Sequence, residues 1–428
     1  MGRLVCTLAT FFGTLALLPL VVSHLNYGFP YGKEKVRGVS LGGWFVIEDF
    51  ITHSLFDKTN DTRVVDEWTF GQYQDKAVAR ASLEKHWSTF ITKDDFKKIR
   101  EAGLNHVRIP IGYWAFDLYP GDEFVQGQLP YLLKAVDWAR EYDIKIMLVL
   151  YGAPGSQNGF INSGHTLNAP GWPQNQTNID HTTALIKRLV AMFKDKVDVV
   201  PIIGVLNEPL GPEGTNYTLT AATKFYIDTY DKVRYPNGKE SDKTNLIMMT
   251  HDGFMGVDYW AGFLQPPKYQ GVILDTHIYY QMFTHEYAAM SFDQHITNAC
   301  KNASILATSP LPTIIGEWTA TATDCGKGLN GRYVGAMYDG TFPGSVRVGS
   351  CDGLTGDAST FSEEYKTFLG QYWEAQVQGF ERGGLGWTMW NWKMEDVDEW
   401  SYQKGLEYGW IPQDPTKGRW PKICEGRW

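Results

Sequence analysis

Two glutamates in this sequence stand where a carboxylate is out of place. Val205-Leu206-Asn207-Glu208-Pro209 and Ile314-Ile315-Gly316-Glu317-Trp318 each put a Glu at the end of an apolar run. A carboxylate buried there without a partner is strongly destabilising. A salt bridge at a rim would account for one such residue; two of them, with Asn207 directly before the first, point to a working pair. Two carboxyl groups facing one another suit glycoside hydrolysis. One donates a proton to the leaving oxygen, and the other attacks the sugar or activates water. A separation of roughly 5–5.5 Å would retain anomeric configuration through a covalent intermediate.

The two runs belong to a longer rhythm. Eight short apolar segments recur: Val36–Phe45, His106–Ile111, Ile144–Tyr151, Val200–Leu206, Asn245–His251, Val272–Tyr279, Thr313–Trp318 and Gly384–Trp392. Many are continuous hydrophobic runs, as expected of parallel strands buried on both faces. Amphipathic helical stretches lie between them: Lys93–Ala102, Pro130–Tyr142, His181–Lys194, Ala221–Val233, Phe292–Leu306 and Thr360–Arg382. Thr92-Lys93-Asp94-Asp95 has the acid-rich first turn of a helix start. This alternation predicts an α/β fold, a single (β/α)8 TIM barrel with long βα loops. A doubly wound sheet is the rival, but no Gly-rich phosphate fingerprint follows the first strand. In a TIM barrel, chemistry sits at the C-terminal ends of the strands, where both glutamates fall.

The chain has 428 residues, 43% hydrophobic, 20% charged and 14% aromatic, with 16 Trp. That apolar fraction excludes a disordered protein. A net charge of −9 without a basic patch argues against nucleic acid as a partner. Residues 1–23 read as a secretory signal peptide: Arg3, then apolar Leu4 to Val22, then small Ser23. An N-terminal anchor is the alternative. Residues 24–428 are expected to form one secreted domain, with no later membrane span and acting as a monomer. Outside the signal, Cys300, Cys325, Cys351 and Cys424 allow two disulfides in three pairings. Sequons at Asn60, Asn175, Asn216 and Asn302 are glycosylation candidates. No metal-ligand spacing stands out, and the chemistry needs no cofactor.

Six motifs in order carry a resemblance: Arg37-Gly38-Val39-Ser40-Leu41-Gly42-Gly43-Trp44, His106-Val107-Arg108-Ile109-Pro110, Gly152-Ala153-Pro154-Gly155-Ser156-Gln157-Asn158-Gly159, Leu206-Asn207-Glu208-Pro209, His277-Ile278-Tyr279 and Ile315-Gly316-Glu317-Trp318. Over nearly the whole chain after the signal, the sequence resembles glycoside hydrolase family 5, in the branch of fungal exo-β-1,3-glucanases and their relatives. The resemblance implies Glu208 as acid/base and Glu317 as nucleophile. It places Asn207 on the sugar 2-OH, Arg108 and Tyr279 on Glu317, and His277 on substrate or Glu208. Glu48 would bind outer hydroxyls, Phe160 and Asn162 would line the sugar site, and Trp387 would lie under the sugar. It also implies Cys300–Cys424 and Cys325–Cys351 pairing, the first stabilising by ~3–5 kcal/mol if unstrained.

Two positions depart from the exo-glucanase pattern. Tyr151 stands where that branch has a His that touches a glucose hydroxyl, and Ile161 where it has an Asp at the closed end of the pocket. Losing a carboxylate removes a hydroxyl acceptor, and isoleucine favours an apolar neighbour. Rhamnose carries a methyl group that glucose lacks. The departures therefore favour a retaining β-glycosidase of the rutinosidase kind, releasing rutinose from flavonoid glycosides such as rutin. An exo-β-1,3-glucanase of cell-wall glucan is the alternative, and an inactive sugar-binding protein a second. On either catalytic reading the partner is a carbohydrate or flavonoid glycoside.

Overall fold

Residues 28–209, 216–279 and 284–428 are described by a computed structural model. The expected signal peptide and the side chain of Asn216 lie outside the described residues. Eight strands close into a barrel in sequence order: β1 (Val36–Ser40), β2 (His106–Gly112), β3 (Lys145–Gly152), β4 (Ile202–Gly204), β5 (Ile247–His251), β6 (Val272–Ile278), β7 (Thr313–Trp318) and β8 (Gly386–Met389). Every neighbouring pair is parallel, and β8 returns to β1 with Val36 opposite Gly386. This is the (β/α)8 barrel that the alternation predicts. The continuous apolar runs arise because the strands are buried inside and out.

Several strands are shorter than their apolar runs. β1 stops at Ser40, β4 at Gly204 and β8 at Met389. The rest of each run is buried loop at the barrel mouth, where side chains no longer follow strand alternation. Helices Lys93–Glu101, Leu129–Glu141, Gln176–Phe193, Asn216–Arg234, Phe292–Leu306 and Glu363–Gly383 form the outer layer. The Thr92 and Asp95 side chains make the capping box that starts the first of these. The last two helices pack closely because Gly379 and Gly383 lack Cβ atoms, which would meet Ala299 O at 2.7 Å and Ala303 O at 2.5 Å.

Disulfides join Cys300 to Cys424 and Cys325 to Cys351. The first ties the C-terminal tail to helix Phe292–Leu306; the second lies in the long loop after β7. Such bonds fit an oxidising compartment. Among the described residues, no helix is long and apolar enough to cross a membrane. Asn60 and Asn175 are exposed. Asn302 is not available as a glycan acceptor: it is buried on the inner side of its helix, at 2% exposure. A sequon carries no information about which helical face it occupies.

Candidate active site

The site is built on Arg108, a guanidinium with no exposed surface, which rises from β2 into the barrel mouth. A buried cation must be surrounded by acceptors. Its Nη1 donates to Glu317 Oε1 (2.6 Å) and Tyr151 Oη (2.8 Å). Its Nη2 donates to Asn207 Oδ1 (2.7 Å) and reaches Asp275 Oδ2 (3.3 Å). Tyr151 Oη also donates to Glu317 Oε1, and Tyr279 Oη donates to Glu317 Oε2 at 3.1 Å. Glu208 is held differently. His277 Nδ1 lies 2.6 Å from its Oε1, and Asn162 Nδ2 donates to its Oε2. The other face of the same imidazole is 3.6 Å from Glu317, so one ring spans the two carboxylates.

Local backbone detail aims these groups. Between β2 and β3 the register runs Ile111↔Leu150, then Gly112↔Gly152, leaving Tyr151 as the extra residue of a bulge. Between β6 and β7 it shifts again at Thr276/His277, with Gly316 as the extra residue before Glu317. Bulges re-aim side chains at barrel rims. A Cβ on Gly316 would meet the Asp275 carboxylate at 2.0 Å, so glycine is what admits Asp275 beneath the site. Glu208 sits at φ 43°, the left-handed region that a non-glycine residue rarely adopts. Gln157 Nε2 donates to Tyr151 O (2.5 Å) and Asn207 O (2.8 Å), binding the ends of β3 and β4 together.

Burial alone would discharge the His277 ring. The charges of Glu317 and Asp275, with hydrogen bonds to Asp275 and Glu208, outweigh it and push His277 up to about 10. Burial opposes ionisation of Glu208, but the His277 hydrogen bond and charge hold it below the usual 4.5. Asp275 is held at about 2, burial being overcome by His277 and Arg108. At Glu317, burial pushes the carboxyl up, while His277 and Arg108 pull it back. Arg108, Tyr151 and Tyr279 all donate to its oxygens, a geometry that fits the carboxylate. Glu48, just after β1, is pushed well above the ordinary range by burial and then by Glu317 and Glu208. Among the described residues its Oε1 has no partner.

Of the residues expected from sequence, Arg108, Tyr151, Asn162, Asn207, Glu208, His277, Tyr279 and Glu317 meet in this one network. Phe160 is 44% exposed and Ile161 partly buried, both in the loop that carries Asn162. Trp387 is a correction. It has no exposed surface, donates to Glu381 Oε1 at 3.1 Å, and packs edge-on against Trp318 and Trp373. Trp373 belongs to helix Glu363–Gly383, so Trp387 points out of the barrel. Trp390, one residue beyond β8, is the tryptophan at the mouth. It lies parallel to the Tyr151 ring at 5.8 Å and packs where Gly42 leaves room. Sequence reasoning also missed Asp275, His251 and Gln157. Asp275 shares the strand face of His277 and Tyr279, a spacing that could have revealed it.

Ligand atoms of Glu208, His251 and His277 lie within 4.8 Å of one another, a group the sequence did not suggest. Their chemistry does not fit a metal. His251 Nδ1 accepts from Gly253 N (2.9 Å), His277 is engaged by Glu208, and the Arg108 cation lies 3.2 Å from His277 Nε2. Within the group, Glu208 and His277 are hydrogen-bonded, and His251 packs edge-on against the His277 ring at 4.4 Å.

Residues 72–339 match the model of the cellulase family, glycosyl hydrolase family 5. The chain is 40% identical over 413 residues to a glucan 1,3-β-glucosidase of Blumeria graminis, covering 95% of this chain and 94% of that protein. It is 41% identical over 398 residues to a probable glucan 1,3-β-glucosidase A of Aspergillus niger, covering 92% of each. In fold it is similar to the crystal structure of rutinosidase from Aspergillus niger, with a TM-score of 0.70 at 20% identity over 88% of this chain and 98% of that one. A match over most of the chain, with two relatives near 40% identity, makes the assignment plain: the chain belongs to glycosyl hydrolase family 5.

Proposed function

We propose that the chain is a secreted retaining β-glucosidase acting on β-1,3-glucan, a glucan 1,3-β-glucosidase. The observation that carries the catalytic part is the unequal partnering of two buried carboxylates. Glu317 is surrounded by donors that favour a nucleophilic carboxylate. Glu208 shares a proton with His277. Glu317 attacks C1 while the bond from C1 to the leaving oxygen breaks. The Glu208–His277 pair supplies the proton that oxygen takes. Water then attacks C1, gives its proton back to Glu208, and frees Glu317. Among the described residues Asn207 Nδ2 and Glu48 Oε1 have no hydrogen-bond partner, which supports Asn207 as the donor to the sugar 2-OH and Glu48 as an acceptor for an outer hydroxyl once substrate binds.

The substrate rests on the relatives: those near 40% identity bear the glucan name, whereas the rutinosidase is similar in fold at 20% identity. This reverses the preference that the Tyr151 and Ile161 departures gave. The Tyr151 hydroxyl is engaged by Glu317 and Arg108 and reports nothing about a distal sugar. Rutinoside hydrolysis stays as a second reading on one observation, the partly buried apolar side chain of Ile161 beside Phe160. Steady-state hydrolysis of laminarin and rutin by one preparation separates the two. Fast glucose release with little rutin turnover supports the glucan reading; rutinose release with inert laminarin overturns it. Glu208→Gln and Glu317→Gln should each lose several orders of magnitude in rate, and full activity in either would refute the assignment of that residue.

A further inference from the structure

Tyr151 has three relations that together go beyond lining a pocket. It is the extra residue of the β2–β3 bulge, so its ring leaves the strand's ordinary alternation. Its ring is held by two neighbours, Trp390 parallel at 5.8 Å and the Arg108 guanidinium 5.1 Å from its centroid. Its hydroxyl accepts from Arg108 Nη1 and donates to Glu317 Oε1. With all three fixed, the hydroxyl has one orientation.

The result is an asymmetric nucleophile. Among the described residues, Glu317 Oε1 receives both Arg108 and Tyr151, whereas Oε2 receives only Tyr279, at 3.1 Å. An oxygen with two strong donors has both lone-pair directions occupied, and the other keeps one for a new bond. We propose that Tyr151 is a positioning residue that reserves Oε2 of Glu317 as the attacking atom and assists its departure in the second step. This rests on Glu317 being the nucleophile.

In the first step Oε2 bonds to C1, the bond from C1 to the leaving oxygen breaks, and that oxygen takes a proton. Glu317 becomes an ester, with Oε1 its carbonyl oxygen, and the hydrogen bond from Tyr151 weakens as the charge disappears. In the second step a water oxygen bonds to C1, its proton passes to Glu208, and the bond between C1 and Oε2 breaks with its electron pair returning to the carboxylate. Tyr151 and Arg108 regain a charged acceptor at that moment. Hydrogen bonds to charged groups are the stronger kind. Tyr151 therefore makes Glu317 a weaker base and a better leaving group, and its benefit falls on release.

The test is Tyr151→Phe, which keeps the ring and removes the oxygen. With a dinitrophenyl β-glucoside, whose leaving group needs no proton, the first step is fast and the second limits turnover. The steady-state kcat should drop about ten- to a hundredfold. A burst of dinitrophenol should appear, with a glucosyl adduct visible by intact-mass spectrometry. kcat/KM for this substrate should change much less. The acid limb of kcat/KM should move to higher pH, because the carboxylate loses a donor. An unchanged melting temperature would show that the fold is intact. Equal losses in kcat and kcat/KM, or no burst and no shift of the acid limb, would overturn the proposal. The adduct also separates the two claims. If it maps to a residue other than Glu317, the nucleophile assignment fails; if it maps to Glu317 and the variant releases it as fast as wild type does, only the role of Tyr151 fails.

Discussion

Buried acids occupy two neighbourhoods of this molecule; burial raises the carboxyls in both, and it is overcome at Glu208 and Asp275 but not at Glu67 and Glu399. At the mouth, His277 holds Glu208 below its usual range, and His277 with Arg108 holds Asp275 at about 2. In the wall outside the strands, at the start of helix Glu67–Gln72, Glu67 receives among the described residues only neutral donors: Ile47 N (2.9 Å), Trp114 Nε1 (2.8 Å) and Gln128 Nε2 (3.4 Å). Burial dominates there and pushes Glu67 up to about 8. Glu399, facing Gly356 N at 3.2 Å, is also raised to about 8 by burial. At Glu208 the hydrogen bond and charge of His277 outweigh burial; at Glu67 three neutral donors do not. Glu48 shows that the mouth by itself does not ionise an acid: burial, then Glu317 and Glu208, raise it well above the ordinary range.

Removing the cation should collapse this distinction. Arg108→Met leaves Glu317 and Asp275 without their fixed charge, and should cost about 3–5 kcal/mol of stability and at least about a thousandfold in kcat/KM. Urea midpoints and steady-state kinetics would show it; near-wild-type values in both would mean Arg108 is not what separates the two regions.

The next effect belongs to the wall. The folded chain keeps the Glu67 proton up to about pH 8, whereas an ordinary carboxyl releases it near 4.5. Between those values the unfolded chain binds fewer protons, so Glu67 stabilises fully below the lower one and its contribution declines as pH rises. The slope approaches about 1.4 kcal/mol per pH unit. Glu67→Gln should remove that slope from urea titrations at pH 5, 6, 7 and 8; an unaltered slope would contradict a buried neutral acid. Asp252 is an intermediate case, raised from 3.8 to about 6 by burial against its Thr276 hydrogen bond. Asp252→Asn should flatten stability only across that narrower window, and a change extending to pH 8 would be inconsistent with it. The smallest effect is Asp275→Asn. With one carboxylate fewer, His277 should lose its proton at lower pH, moving the alkaline limb of kcat/KM down by about one unit. A limb that stays in place would show that Glu317 and Glu208 alone hold the ring charged.

The barrel and the carboxylate pair were legible because both follow from simple periodicities. A parallel strand buried on both faces must read as an apolar run, so Glu208 and Glu317 stood out against it. Trp387 and Trp390 show where that logic ends. The apolar stretch Gly384–Trp392 is longer than the four-residue ladder of β8, so its length said nothing about which tryptophan lies past the last paired residue. Asn302 failed for a related reason, since a sequon does not state its helical face. Tyr151 was visible as a departure, but its meaning depends on a bulge and on the reach of a phenol to Glu317. Gln157 lies within one of the six motifs, but its hold on the Tyr151 and Asn207 carbonyls depends on how the ends of β3 and β4 come together, and nothing near His251 in sequence marks its contact with the His277 ring.

The pairing of β1 with β8 also sets a clock. Val36 cannot find Gly386 until about 350 further residues have been made, which at ordinary synthesis rates takes on the order of 20–70 s. Throughout that interval the growing sheet has two open edges of apolar strand, the arrangement most prone to pairing with a neighbouring chain. Barrel closure therefore waits for the last strand, and the longer that wait, the longer these edges are open to a neighbouring chain.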